Sequence, residues 1–197
     1  GIEHALNEGL KFALEEGFKF VARCDCGDVN APNRFTRQVS FLKENPELLL
    51  VGSWVRFVSP SGELLFTFTP PTEHEQIRKF MFVNNAFAHP SVVFRAELVR
   101  KIGFYPTDAP GAEDYAYFFK AVKAGKTANL PEFLVTCVVN PEGISVKRRR
   151  RQLLTRLSVI ASHFNDDPPR VLYGLMRNLP LLLLPYAWVE RLKRWRA

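Results

Sequence analysis

A chain of 197 residues, 47% hydrophobic and 24% charged, has the balance of one folded globular domain. That balance excludes wholesale disorder, collagen-like repeats and a disulfide-stapled miniprotein. The net charge of +7 is unevenly placed: residues 1–146 hold 15 Lys/Arg against 17 Asp/Glu, and residues 147–197 hold 12 against 3, so a near-neutral body carries a basic tail.

Residues 2–16 set Ile2, Leu6, Leu10, Ala13 and Leu14 at helical spacing, with Gly17 where a C-cap belongs. Residues 18–24 read as a buried strand that stops at Asp25-Cys26-Gly27-Asp28, and residues 33–44 as a helix. Residues 48–58 and 63–68 flank the turn Ser59-Pro60-Ser61-Gly62, which predicts a hairpin. Thr72 is placed to cap a short helix starting at Glu73, with Glu75 in the capping-box position. Ser91-Val92-Val93-Phe94 reads as a strand, 96–101 as a helix closed by Gly103, and 113–124 as a helix ending at Gly125. Residues 127–139 are extended, with Pro131 interrupting. Helix, strand, acidic turn, helix is the order of an α/β protein.

The odd cysteine count, with Cys24 and Cys26 one residue apart, predicts a reducing, cytoplasmic compartment. The opening Gly1-Ile2-Glu3-His4 has no apolar signal core, so the expectation is a cytoplasmic chain cut from a longer protein.

Asp25 and Asp28 follow a strand end, where open α/β sheets place ligands. Two ionised carboxylates so close suit a hard cation such as Mg²⁺ or Mn²⁺; the same pair also suits turn and N-cap duty. Glu113 and Asp114 open a helix, as carboxylates do in many proteins because of the dipole. A neighbouring aromatic wall, Tyr115, Tyr117, Phe118 and Phe119, suits a partly desolvated general base. His89 is either a ligand contact or a polar loop residue. No glycine-rich phosphate loop, nucleophile elbow or zinc helix is present.

In order, these segments resemble the family-two glycosyltransferases of GT-A fold, especially bacterial enzymes of surface-polysaccharide synthesis. The matching blocks are Ala5-Leu6-Asn7, Ala22-Arg23-Cys24-Asp25-Cys26-Gly27-Asp28, Arg34 through Gln38, Val51-Gly52-Ser53, His89-Pro90-Ser91 with Phe94-Arg95, Gly103-Phe104-Tyr105, Glu113-Asp114 and Leu130-Pro131-Glu132. The resemblance implies a GT-A-like (Rossmann-like) mixed sheet flanked by helices over residues 1–145, lacking its first βαβ unit and so N-terminally truncated. It implies transfer of a sugar from a nucleotide-diphosphate sugar to a glycan or lipid-linked acceptor, with inversion. In that scheme Asp25 and Asp28 hold Mn²⁺ or Mg²⁺, and Asp114 is the general base with Glu113 as its neighbour. Arg150, Arg151 and Gln152 grip the donor diphosphate, while His89 and Arg34 are possible substrate contacts. Gly27 stands where the family's metal motif usually has aspartate.

A nucleotidyltransferase also pairs carboxylates with a metal and a nucleotide, and remains the alternative enzyme reading. Residues 146–197 form a basic and apolar extension. The longest apolar run, 179–189, is 11 residues, against the about 20 that a spanning helix needs. With Tyr173, Trp188 and Trp195 beside Arg191, Lys193, Arg194 and Arg196, residues 171–189 read as a segment lying on an anionic membrane surface, on the inner face of the cell membrane. Packing against the core is the competing reading. The basic run is not interleaved with aromatics, so nucleic acid is not an expected partner.

Overall fold

The computed structural model describes residues 1–139 and 149–184. Helix α1 (Ile2–Glu15) ends as its sequence predicts: Gly17 adopts φ +73°, its N–H reaches the Leu14 carbonyl at 3.2 Å, and the Phe18 N–H reaches Ala13 at 3.0 Å. These two bonds close a Schellman turn, and the Phe12 and Phe18 rings, 6.3 Å apart, supply its apolar contact.

The chain continues through β1 (Phe20–Ala22), β2 (Val29–Asn30), α2 (Arg34–Glu44), the hairpin β3 (Leu48–Val58) and β4 (Leu64–Phe68), and α3 (His74–Phe80). A 3-10 turn (His89–Ser91), β5 (Val93–Arg95), α4 (Ala96–Ile102), α5 (Glu113–Ala124) and β6 (Lys126–Val138) complete the body. Two further helices, α6 (Arg149–Ser162) and α7 (Pro168–Asn178), lead to a last 3-10 turn (Leu179–Leu182).

The six strands form one mixed sheet in the order β1-β5-β3-β6-β2, with β4 added to the far half of β3. Strands β3 and β6 pair in parallel along their length; the other pairs are antiparallel. The largest apolar cluster joins the sheet to α3, α4, α5, α6 and α7 through Leu50, Phe94, Leu98, Phe118, Ile160 and Val171. A second cluster, Leu42, Val51, Val93 and Leu130, packs α2 on the opposite face.

Several local expectations change. The segment at 18–24 is an edge strand of three residues, half-buried to exposed, because its only sheet partner is β5. Helix α3 begins a residue later than expected, at His74, with Glu73 as N-cap and no side-chain cap bond. Thr72 instead gives its carbonyl to the Asn129 N–H at 3.0 Å. The strand expected at 91–94 is a 3-10 turn followed by β5. Pro131 does not break β6: the register steps from Leu130 opposite Ser53 to Phe133 opposite Trp54, so the proline sits in a bulge and owes the ladder no donor. Gly52 in the Val51-Gly52-Ser53 strand is required by packing, since a Cβ there would collide with the side chains of Asn129 and Phe87. Asn129 in turn donates to the carbonyls of Pro71 at 2.8 Å and Ala86 at 3.0 Å.

The C-terminal helices are docked. Helix α7 buries Val171, Gly174 and Asn178, with Gly174 pressed on the Phe82 carbonyl and the Asn178 amide donating to Val83 O at 3.1 Å. Of the segment at 171–189, therefore, the inner face of α7 belongs to the core, and residues 185–189 lie outside the described residues, as do Lys147 and Arg148.

Candidate active site

The site is built from the loop after β1, the 3-10 turn, the loop after α4 and the first turn of α5. Asp114 is half-buried at the start of α5. Its carboxylate accepts from Asn85 Nδ2 at 3.0 Å and from the backbone N–H groups of Asp114 and Tyr115, the helix-end donors that have no intrahelical acceptor. Burial is the largest influence and holds its pKa above the usual aspartate range, opposed by those bonds and by the Arg156 guanidinium. Asn85 is itself oriented, since its Oδ1 accepts from the Phe87 N–H at 3.2 Å. Glu113 is buried, with Oε2 lacking a hydrogen bond, and burial raises its pKa, opposed by the bond to its own backbone N–H.

Asn7 ties the first helix to the site. Its side chain donates to Tyr105 O at 2.9 Å and accepts from Tyr105 N at 2.8 Å, a two-way clamp on the loop after α4. The Tyr105 ring stacks on Tyr117 at 4.2 Å, and its hydroxyl lies 3.1 Å from His89 Nε2. Burial pushes the Tyr105 phenol well up, with Tyr117, Asp114 and Asp25 adding in the same direction. Burial, then Arg23, pushes His89 down to about 4, opposed by Asp25. His89 and Tyr105 thus feel Asp25, and Tyr105 feels Asp114 as well: the structure brings both acidic segments to one place.

Asp25 is ion-paired through Oδ1 with Arg23 Nη2. Asp28 Oδ1 accepts from Val138 N at 3.2 Å, which ties the acidic turn to the end of β6. Among the described residues no group of three His, Cys, Asp or Glu side chains forms a metal cage. Gly27, at φ +92°, provides the turn and no donor. Cys24 and Cys26 are exposed free thiols.

Arg34 departs from its expected substrate contact. It is fully buried, and its guanidinium bonds Gln38 Oε1 at 3.0 Å, Asn30 Oδ1 and the Arg23 carbonyl at 2.9 Å, with Cys24 Sγ at 3.9 Å. It supports the acidic turn from behind. Gln38 extends the support to the carbonyls of Val51 and Ser91. In α6, Gln152 packs on Gly111 just before Glu113, Thr155 donates to Pro110 O at 3.1 Å, and Arg156 covers the Tyr115 ring at 5.3 Å. Arg150 and Arg151 are exposed at the start of that helix.

Asn85, Tyr105, Arg156 and Asn7 carry no motif of their own as site residues. Only the Gly103-Phe104-Tyr105 and Ala5-Leu6-Asn7 blocks mark two of them, and nothing local marks Asn85 or Arg156.

No protein-family model matches the chain. An uncharacterized glycosyltransferase of Haemophilus influenzae is 32% identical over 150 residues, 75% of this chain and 54% of the relative. The amylovoran biosynthesis glycosyltransferase AmsE of Erwinia amylovora is 30% identical over 149 residues, again 75% of this chain and 54% of the relative. The chain belongs to the glycosyltransferases. A UDP-Gal:alpha-D-GlcNAc-diphosphoundecaprenol beta-1,3-galactosyltransferase of Escherichia coli is 29% identical over 151 residues, 76% of this chain and 52% of the relative. This glycosyltransferase chain spans about half the length of the curated relatives it matches. Its fold is that of GT-A-like enzymes: a Pyrobaculum calidifontis mannosyltransferase, solved with GDP-Man and Mn²⁺, superposes with TM-score 0.57 over 97% of this chain and 52% of that chain, at 20% identity.

Proposed function

We propose that the full-length enzyme moves a sugar from a nucleotide-diphosphate sugar to a hydroxyl of a glycan or lipid-linked acceptor, inverting the anomeric carbon, in cell-surface polysaccharide synthesis. The observation that carries this reading is the half-buried Asp114, oriented by Asn85 and raised in pKa by burial. A carboxylate lifted toward neutrality is a better proton acceptor at working pH. Asp114 takes the acceptor hydroxyl's proton as that oxygen bonds the anomeric carbon. The bond from that carbon to the diphosphate oxygen breaks, and its electron pair leaves with the nucleoside diphosphate. Glu113 lines the same turn, and His89 stays neutral, able to exchange one hydrogen bond with Tyr105 or a substrate hydroxyl.

The residues present fit a divalent cation of the Mn²⁺ or Mg²⁺ kind. Asp25 and Asp28 bring two carboxylates to one turn, where the Asp28 N–H meets the Asp25 carbonyl at 3.3 Å, and such ions are commonly held by one or two carboxylates plus substrate phosphates and water; an ion there would displace Arg23 from Asp25 Oδ1. Asp25 would be the principal protein ligand and Asp28 the second. Bound there, the ion would neutralise charge developing on the diphosphate. Arg150, Arg151 and Gln152, at the start of the helix that covers the Asp114 turn, would grip the same diphosphate, a reading supported by the exposure of both arginines.

The test uses the full-length enzyme with Mn²⁺, a panel of nucleotide sugars and a lipid-linked glycan acceptor. Release of nucleoside diphosphate with an inverted product anomer is expected. Release of pyrophosphate would assign a nucleotidyltransferase instead.

A further inference from the structure

Helix α7 has two apolar faces, and among the described residues only one of them is packed against the core. Val171, Gly174 and Asn178 face the core. On the other side Leu172, Tyr173 and Met176, followed by Leu179 and Leu183 of the last turn, are between 50% and 88% exposed. A helix docked on a globular core normally turns polar residues to solvent; a contiguous exposed apolar set of this size marks a contact surface. Next to Tyr173 a cleft of about 370 Å³ opens between α7 and α3, walled by Phe80, Phe82 and Val83, with Lys79 and Arg170 also lining it.

The charge around this face has one sign in excess. Arg177 is exposed in α7, and Arg150 and Arg151 stand at the start of the adjoining α6. The acidic groups nearby are already paired: Asp167 with Arg170, and Asp166 with Lys123 and His163. Arg149 fastens the last turn to α6 through the carbonyls of Leu181 at 2.7 Å and Leu184 at 3.0 Å, so Leu179 and Leu183 are presented from a fixed base. No helix among the described residues is long and apolar enough to cross a bilayer. Exposed leucine, methionine and tyrosine flanked by arginine are the composition of a surface that lies in the headgroup region, with its apolar side chains at the acyl boundary.

We propose that the outer face of α7 and the turn after it is a docking surface for an anionic phospholipid bilayer. Arg177 meets the headgroups, and Leu172, Met176, Leu179 and Leu183 enter the acyl boundary. The proposal stands on this face alone and does not depend on the sugar-transfer reading.

The experiment is co-sedimentation of the full chain with vesicles of phosphatidylcholine containing phosphatidylglycerol, beside phosphatidylcholine alone, at low and high salt. Binding is expected to the anionic vesicles and to weaken with salt. The double change Met176→Glu and Leu183→Glu should reduce partitioning by about tenfold or more, and Arg177→Glu by about fivefold. All three positions are exposed, so circular dichroism and the thermal midpoint should not move; a shifted midpoint directs the measurement to Leu183→Gln alone, with reduced partitioning again expected. Equal binding to neutral vesicles, or none to either, overturns the proposal. So does a dimer in light scattering that Met176→Glu and Leu183→Glu convert to monomer without vesicle binding, or salt-sensitive binding to duplex DNA in place of vesicles.

Discussion

The two acidic segments of this molecule are held in opposite ways. Asp114 is surrounded: α5 supplies backbone donors, the loop after α3 supplies Asn85, α6 supplies Arg156, and the Tyr105 backbone nearby is clamped by Asn7. Asp25 lies in a short turn after an edge strand, ion-paired with Arg23, whose carbonyl Arg34 holds from the buried side. A carboxylate at a helix start gains fixed backbone donors and loses water, whereas one in a short turn is held by whichever side chains reach it.

Four changes would break or sharpen that contrast. The largest effect is expected from Asp114→Asn in the full-length enzyme, which keeps shape and the Asn85 contact but removes the base; transfer should fall by about 10²–10⁴-fold with nucleotide affinity unchanged. Unaltered turnover in steady-state assays would sink the assignment. Arg34→Met should then destabilise the chain by about 3 kcal/mol, because Gln38, Asn30 and the Arg23 carbonyl each lose a buried donor. Urea unfolding measures it, and metal-dependent nucleotide binding should weaken with it if Arg34 braces Asp25.

A smaller loss, about 2 kcal/mol, is expected for Gly174→Ala, whose Cβ would press on the Phe82 carbonyl. Thermal unfolding with an unchanged midpoint would show that α7 yields at that contact. The smallest effect is in pH dependence. His89, beside the Tyr105 hydroxyl, is held neutral down to about 4, whereas in the unfolded chain it takes a proton near its ordinary value, about 6.5. The unfolded state therefore binds more protons in that window, and stability should fall as pH drops from about 6.5 toward 4. Allowing for its partial exposure, the loss is about 1 kcal/mol between pH 7 and 5. His89→Gln should flatten that slope; an identical slope in the variant would mean another group carries it.

The sequence made α1, α4 and α5 readable because each combines 3.6-residue apolar spacing with a glycine stop, at Gly17, Gly103 and Gly125. The hairpin was readable from Ser59 to Gly62. The edge position of β1 was not, since it depends on antiparallel pairing with β5 some seventy residues later, Phe20 opposite Arg95. Pro131 read as a break because the bulge that absorbs it is a property of the β3 partner. Both acidic segments were visible as residue types at strand and helix ends. What lies behind them was not: an arginine after a turn looks like a ligand contact until tertiary burial makes it a brace, and Asn85 and Arg156 become part of the site only when α3 and α6 close on α5.

One consequence of the α7 contact reaches the chemistry. Gly174 and Asn178 grip the backbone at Phe82 and Val83, and Asn85, two residues further, is the side chain that aims Asp114. Helix α7 is thus no detachable tag. Trimming the chain before Gly174 would free the far end of a short lever whose near end orients Asp114, so amide exchange at residues 82–85 should speed up before any sheet amide notices the cut.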